Sequence, residues 1–241
     1  MGSEMCIRDR HIAVNEKKTV AIFSLEMPAL QVIERMLSQQ TGLNLWNIRM
    51  GSLGDRSAYE KYNIGAASIA ESNLFIDDTS GLNIVQVRSK SRKLMIEKGL
   101  DLLVIDYLQL MQGTSNTENR AIEIGEISRS LKILARELNV PIIALSQLNR
   151  AVESRQDKVP QLSDLRESGS IEQDADIVIF LGRDVVNQSD LQQLDNSISN
   201  NYQDILKIDV IIAKHRNGPT GRFQMSFVPY QTKFLDLDSS N

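Results

Sequence analysis

Short apolar runs alternate with amphipathic segments through the first 145 residues, and this alternation restricts the fold more than any other feature of the chain. The runs at 19–25, 100–111 and 140–145 are rich in β-branched and other apolar residues, as in strands buried on both faces of a sheet. A shorter strand is predicted at 73–78. One intervening segment repeats apolar residues at helical spacing: Ile124, Ile127, Leu131, Leu134 and Leu138. The alternation predicts an α/β fold, a mostly parallel sheet with helices on both faces.

The last third of the chain shows strand patterns without helices between them, which predicts antiparallel strands and a hairpin at one edge of the sheet. We predict these strands at 177–181, 205–213, 223–228 and 234–237. The polar stretch 149–172 predicts a long loop. The stretch 187–201, rich in Asn, Gln, Ser and Asp, predicts a surface excursion.

Composition excludes several classes of protein. A net charge of −4 gives no global sign of nucleic-acid binding, so any DNA contact has to come from a local patch. With Cys6 as the single cysteine and only two histidines, neither a disulfide framework nor a zinc cluster is expected. No apolar run approaches the roughly 18 residues of a membrane span, and we expect a cytoplasmic protein without a membrane partner.

The chain is expected to form one domain over residues 11–241, because no linker or internal repeat divides it. Residues 1–10 begin no recognisable element and lack the apolar core of a signal peptide. We therefore expect them to be a foreign or disordered leader.

Two carboxylates end short apolar runs, and open α/β sheets place their ligands at the carboxyl ends of strands. Asp106 ends an apolar run, and a carboxylate there can hold Mg²⁺ directly or through water beside a phosphate site. Glu26 ends the first run, and it could polarise a water that attacks a phosphate. Taken alone, Asp106 could equally be a helix cap, and Glu26 could be a first-turn acid stabilised by the helix dipole.

Polar and basic residues close three later segments. Gln147 follows the strand at 140–145 and is suited to sensing a terminal phosphate, although a lone Gln at a strand end has little meaning. Lys214 and Arg216 point to the same side of an extended segment, as a phosphate clamp or a finger into a neighbouring site would require. A solvated basic hairpin is the plain alternative.

The predicted loop at 149–172 carries a further candidate site. Arg166 and Gly169 are spaced to offer a guanidinium and an open backbone N–H to phosphates. Glu167 between them could tie the loop to a neighbouring subunit or accept a hydrogen bond from Arg166. A salt-bridged surface loop explains this stretch equally well when it is considered alone.

The segments together are much more specific than any one of them. In order, they are FSLEM at 23–27, IDYLQLM at 105–111, EISRSLK at 126–132, ALSQLNR at 144–150, DLRESGSIEQDAD at 164–176 and RNGP at 216–219. This set resembles the C-terminal motor domain of the DnaB family of replicative DNA helicases. The resemblance covers residues 11 to about 237, and it implies that the predicted sheet is RecA-like.

The resemblance implies an ATP- and Mg²⁺-dependent hexameric ring that moves 5′ to 3′ on single-stranded DNA, with primase and a helicase loader as partners. By the same resemblance, Glu26 activates the water, Asp106 serves Mg²⁺ and Gln147 couples the γ-phosphate to DNA. Lys214 and Arg216 would reach the next subunit's nucleotide. Arg166, Glu167 and Gly169 would lie on the DNA loop in the channel.

One motif of that family is absent from these 241 residues, since no Gly-x-x-x-x-Gly-Lys-Ser/Thr loop occurs in them. The resemblance places this P-loop shortly before His11. We expect weak ATP binding in the chain's own site and poor solubility, because a missing central strand leaves apolar sheet edges. The alternative is a P-loop-less ring subunit that lends its finger and DNA loop. A RecA-like recombinase or clock-type ATPase is disfavoured by the run at 164–176.

Overall fold

A computed structural model describes residues 9–113, 119–149, 152, 155, 159–183 and 205–237. The strands are β1 (Val20–Ser24), β2 (Leu74–Asp77), β3 (Leu102–Asp106), β4 (Ile142–Ala144), β5 (Ile177–Arg183), β6 (Leu206–His215), β7 (Gly221–Val228) and β8 (Lys233–Asp236). The α-helices are α1 (Ala29–Thr41), α2 (Leu45–Met50), α3 (Arg56–Ala70), α4 (Ile84–Lys98), α5 (Arg120–Leu138) and α6 (Gly169–Asp174).

The first four strands form a parallel sheet in the order β2-β1-β3-β4. Strands β1 and β3 lie at its centre, and every residue of both is buried. Side chains alternate between the faces of a strand, so Ala21 and Phe23 enter one core with α4 and α5. Val20 and Ile22 enter a second core with α1 and α3. Helices therefore cover both faces, as the sequence predicts.

Local sequence signals explain where several helices begin and end. Asn83 and Gln86 form a reciprocal capping box at the start of α4, which satisfies two backbone donors that lack partners within the helix. Asn119 caps α5 through the amide of Ala121. Helix α1 follows Pro28 and ends at Gly42, whose φ of 71° is accessible to glycine at low cost.

The later strands form an antiparallel sheet in the order β5-β6-β7-β8. This confirms the predicted fold class, an α/β domain with added antiparallel strands and a C-terminal hairpin. Among the described residues, β4 and β5 share no strand pairing, so the antiparallel strands stand as a separate sheet.

The prediction of an unbroken loop at 149–172 was wrong. A 3₁₀ helix spans Leu162–Ser168, and α6 follows it directly. Burial of Leu165 and Ile171 in the core stabilises these turns, and two apolar residues are too few to give a helical pattern in the sequence. The strand predicted at 100–111 ends earlier, at Asp106, and continues as a 3₁₀ turn at Leu108–Leu110.

The predicted excursion at 187–201 lies outside the described residues. In the part of the chain that the structure describes, no helix has the length and apolar character of a membrane span.

Strand β5 exposes one apolar face. Val178 and Phe180 are buried, whereas Ile177, Ile179 and Leu181 are 49%, 39% and 38% exposed. An exposed apolar strand at a sheet edge is a site for pairing with another chain.

We expect Ile179→Lys to reduce self-association of the 241-residue chain, because a charge on the exposed face of β5 opposes edge-to-edge pairing. Light scattering against protein concentration measures this. Phe180→Ala is the control on the opposite face. It should cost about 3–5 kcal/mol of unfolding free energy without reducing association. Equal scattering by wild type and Ile179→Lys would show that β5 is not the associating edge.

Candidate functional site

Asp106 ends β3 opposite Ser24 of β1 and is 6% exposed. Its backbone oxygen accepts a hydrogen bond of 2.7 Å from the amide of Leu25, which fixes the carboxyl ends of the two strands side by side. Its Oδ1 atom has no hydrogen-bond partner among the described residues. A buried carboxylate oxygen without a partner carries a desolvation cost that a bound cation would offset.

Glu26 lies close enough to Asp106 to act on it electrostatically. Burial raises the pKa of the Asp106 carboxyl, the negative charge of Glu26 raises it further, and Arg35 opposes the shift. The Glu26 side chain is exposed. The structure thus brings both predicted carboxylates together at the ends of adjacent strands. One or two carboxylates beside phosphates are the protein ligands that Mg²⁺ prefers, so these residues fit that metal.

Ser24 shapes the turn that carries Glu26, which the sequence argument missed. Its hydroxyl is buried and donates to the backbone oxygen of Met27 at 2.7 Å. The bond closes the chain around Glu26 immediately after β1. A serine that ends an apolar run was the available sequence signal.

Gln147 follows β4, and its exposed position is fixed through its backbone by Gln109. The Gln147 amide donates to Gln109 Oε1 at 3.2 Å, and Gln109 Nε2 donates to the Gln147 carbonyl at 3.3 Å. Gln109 Nε2 also donates to Ser146 Oγ at 2.9 Å. The side-chain amide of Gln109 therefore binds both the N–H and the carbonyl of Gln147. The Gln147 side chain takes no part in these hydrogen bonds. No sequence signal identified Gln109 for this role.

The backbone around Gln109 is held in turn by the first turn of α5. Arg120 donates to the carbonyls of Gln109 and Met111 at 2.8 and 2.9 Å. Glu123 pairs with Arg120 and accepts from the amide of Gly113. The hydrogen bond from Arg120 is the largest cause of the lowered pKa of Glu123.

Lys214 and Arg216 both contact the last turn of α6. Lys214 Nζ donates to the carbonyls of Glu172 and Gln173 at 2.5 and 3.4 Å. Arg216 Nη2 donates to the Gln173 carbonyl at 3.0 Å. Cations are favoured at the carbonyl end of a helix. The predicted side-by-side arrangement is therefore present, and the described contacts of both side chains are with the segment 172–176.

The predicted DNA loop is described only in part. The side chains of Arg166 and Glu167 lie outside the described residues. Gly169 begins α6, is exposed, and has open space where a side chain would project. Helix α6 thus begins at Gly169, and its last turn contacts Lys214 and Arg216.

Two groups of predicted residues emerge from this geometry. Glu26, Asp106 and Gln147 follow the carboxyl ends of β1, β3 and β4, which are neighbours in the parallel sheet. Lys214 and Arg216 stand at the end of β6 in the antiparallel sheet. A parallel sheet covered on both faces, with acids at the tips of its central strands, defines the class of open α/β domains that bind ligands at the carboxyl ends of their strands.

The comparisons with known proteins identify the family within this class. The model of the DnaB-like helicase C-terminal domain matches residues 4–236. Replicative DNA helicase DnaB of Geobacillus stearothermophilus is 48% identical over 230 residues, which cover 95% of this chain and 48% of that protein. Replicative DNA helicase DnaC of Bacillus subtilis is 46% identical over 230 residues, with the same coverage of 95% and 48%. The chain belongs to the DnaB-like helicase C-terminal domain family.

Solved structures agree with this assignment. A DnaB-like replicative helicase, described together with its interactions with primase, gives a TM-score of 0.85 at 35% identity. That match covers 98% of this chain and 54% of the other. A second solved structure, described as an ATPase domain, gives a TM-score of 0.82 at 36% identity, with 96% and 78% coverage. The chain spans about half the length of the curated relatives it matches.

Replacing Asp106 with Asn should raise stability at neutral pH. A carboxyl with a raised pKa in the folded state binds its proton more tightly there than in the unfolded chain. Stability therefore falls as the pH rises from the unfolded pKa through the folded one. Urea midpoints should be higher for Asp106→Asn at pH 7 and converge with wild type below the ordinary aspartate pKa of about 3.9.

Two controls sharpen that experiment. Glu26→Gln removes the neighbouring charge and should also stabilise the chain at pH 7, less than additively with Asp106→Asn. Asp236→Asn changes an exposed strand residue and should have little effect. A lower midpoint for Asp106→Asn at pH 7 would contradict the assigned origin of the shift.

Gln109→Ala should speed hydrogen exchange of the Gln147 amide by about three- to tenfold, which corresponds to the loss of one ordinary hydrogen bond. Amide exchange measured by NMR gives this rate residue by residue. Gln112→Ala is the matched control, because the Gln112 side chain packs beside Gly81. Unchanged protection of Gln147 in Gln109→Ala would remove Gln109 from the support of this site.

Proposed function

We propose that the protein is the ATP-driven motor of a replicative DNA helicase. It assembles as a hexameric ring, moves 5′ to 3′ on single-stranded DNA and unwinds duplex DNA during replication in the cytoplasm. The observation that carries the proposal is the buried Asp106, with its unpartnered oxygen, beside the exposed Glu26 in a chain of this family. The activity, substrates and partners of the relatives are extended here to the whole protein.

The residues take distinct roles in this proposal. Asp106 holds Mg²⁺, and the metal when bound would supply charge stabilisation to the transferring phosphate. Glu26, exposed at the next strand tip, accepts a proton from the attacking water. Gln147 carries the state of the terminal phosphate toward DNA, with its backbone fixed by Gln109.

Lys214 and Arg216 serve the nucleotide of the neighbouring subunit. Both side chains come from one strand end, and Arg216 is 45% exposed, so its guanidinium is reachable from outside the chain. An arginine from a neighbouring subunit can stabilise charge that develops on the phosphates during transfer.

The DNA-binding and partner assignments follow the same proposal. Arg166, Glu167 and Gly169 would lie along single-stranded DNA in the channel of the ring. A few phosphate contacts from each of six subunits give affinity to a chain whose own net charge is −4. Primase and a helicase loader are the proposed protein partners, and one similar solved structure is described with its primase interactions.

A second function is suggested by the separation of the candidate residues into two groups. Lys214 and Arg216 stand at the end of β6 in the antiparallel sheet, apart from the carboxylates at the tips of the parallel sheet. The chain would then be a ring subunit that lends its finger and DNA loop without hydrolysing ATP itself. Both functions place Arg216 in the site of a neighbour, but only the first needs Glu26.

Steady-state ATP hydrolysis by rings of the full-length gene product, with and without single-stranded DNA, separates the two functions. Glu26→Gln should lower kcat by about 10²- to 10⁴-fold with little change in nucleotide binding, because it removes the general base. Arg216→Ala should lower hydrolysis in adjacent subunits of mixed rings. Glu60→Gln, an exposed change on α3, serves as the control.

Three outcomes are informative. Loss of hydrolysis in both Glu26→Gln and Arg216→Ala supports the motor. Loss in Arg216→Ala alone, in rings mixed with a hydrolysing relative, supports the lending subunit. No effect of either change would contradict both functions.

A further inference from the structure

Asp176 lies between two cations that come from different parts of the fold. Lys132 on α5 contacts Asp176 Oδ2, and Arg216 Nε lies 3.5 Å from Asp176 Oδ1. The backbone joins the same residues, since the Arg216 amide donates to the Asp176 carbonyl at 2.8 Å. Strand pairing of β5 with β6 fixes this register. One carboxylate therefore links helix α5 to the residue that follows β6.

The guanidinium of Arg216 is held on two sides. Asp176 faces its Nε, and the carbonyl of Gln173 accepts from its Nη2 at 3.0 Å. Lys214 donates to the carbonyls of Glu172 and Gln173 at 2.5 and 3.4 Å, so the two cations share the same helix end. A planar guanidinium fixed at two of its nitrogens has a defined plane and direction, whereas an unpaired arginine samples several rotamers.

A surface ion pair alone would be the plain explanation of these contacts. The Asp176 side chain is 54% exposed, and an exposed pair contributes little to stability. The contact with Lys132 is the first cause of the lowered pKa of Asp176, and Arg216 adds a smaller electrostatic effect. Because Lys132 holds the carboxylate more strongly, Asp176 can act as a fixed anchor from which Arg216 is directed. Its main effect is therefore on orientation.

We infer that Asp176, anchored by Lys132, is a positioning residue for Arg216. The inference rests on the proposed role of Arg216 at a neighbouring nucleotide. Asp176 acts through Arg216, by holding its guanidinium in one orientation. Without the carboxylate, Lys132 and Arg216 repel each other, and Arg216 loses its partner at Nε.

The direct test observes Arg216 in the 241-residue chain. The ¹⁵Nε–¹H signal of Arg216, assigned by its loss in Arg216→Lys, should show restricted motion and slow exchange with water. Asp176→Asn removes the ion pair that faces Nε, and Lys132→Met removes the anchor of that carboxylate. Each should speed that exchange about threefold, the size expected for the loss of an exposed ion pair. Equal exchange in wild type and Asp176→Asn would overturn the inference.

Glu137→Gln is the matched control. Glu137 lies on α5, as Lys132 does, and it contacts two cations, Arg88 and Arg92, as Asp176 contacts Lys132 and Arg216. It has no described contact with Arg216. Its replacement should leave the Arg216 signal unchanged. A change of the same size in Glu137→Gln would mean that loss of any ion pair on α5 disturbs the strand end, which would overturn a specific role for Asp176.

A second measurement tests whether the orientation of Arg216 affects ATP hydrolysis in rings of the full-length gene product. Asp176→Asn should lower kcat by about three- to tenfold with KM for ATP little changed, because misdirection of a charge-stabilising group affects the transition state. Asp176→Glu should restore part of the rate. If Arg216→Ala slows hydrolysis and Asp176→Asn does not, the inference is overturned. If Arg216→Ala has no effect, the proposed function of Arg216 fails, while the NMR result still decides whether Asp176 orients it.

Discussion

The pairing of β1 with β3 is the interaction on which the rest of the structure depends. Both strands are buried along their whole length, and they pair from Val20 opposite Leu102 to Ser24 opposite Asp106. Each face of the pair forms the centre of a separate core. Burial of apolar side chains on both faces fixes the register, since a shift by one residue would exchange the two faces. The same register places Glu26 beside Asp106 after the strands end.

The apolar ladder therefore sets the electrostatics of the site. Asp106 belongs to a strand that the cores bury, so its carboxylate is carried into a poorly hydrated position without a described protein partner for Oδ1. A group of this kind destabilises the fold and persists where it has another use. Its raised pKa has burial as the first cause and Glu26 as the second, and both follow from the strand register.

Sequence reasoning succeeded where the signal is local and failed where partners are distant. Apolar runs marked β1 and β3 and placed Glu26 and Asp106 at their carboxyl ends, because burial and strand ends are visible in the order of residue types. The contacts of Gln109 and Asp176 were not identified, because their partners are distant in the sequence. Gln147 lies 38 residues from Gln109, and Lys132 lies 44 residues from Asp176. Such contacts depend on how helices and strands pack, which periodicity does not specify.

The missed helix α6 has a similar explanation. It has six residues, and Ile171 is its one described buried apolar side chain, so no helical period can be detected. Its position depends on close packing against α5, where a Cβ at Gly125 would lie 2.6 Å from Ser170 Oγ, so glycine allows the two helices to approach at this point.

Helix α5 connects the carboxylate half of the site with the cationic half. Its first turn holds the backbone of Gln109 through Arg120, and Lys132 further along holds Asp176. The two residues are 12 positions apart, about 18 Å along a helix axis. Ile124, Ile127 and Leu131 between them are buried in the core, which keeps this stretch rigid. One helix therefore contacts both groups of residues, although the two sheets share no strand pairing among the described residues.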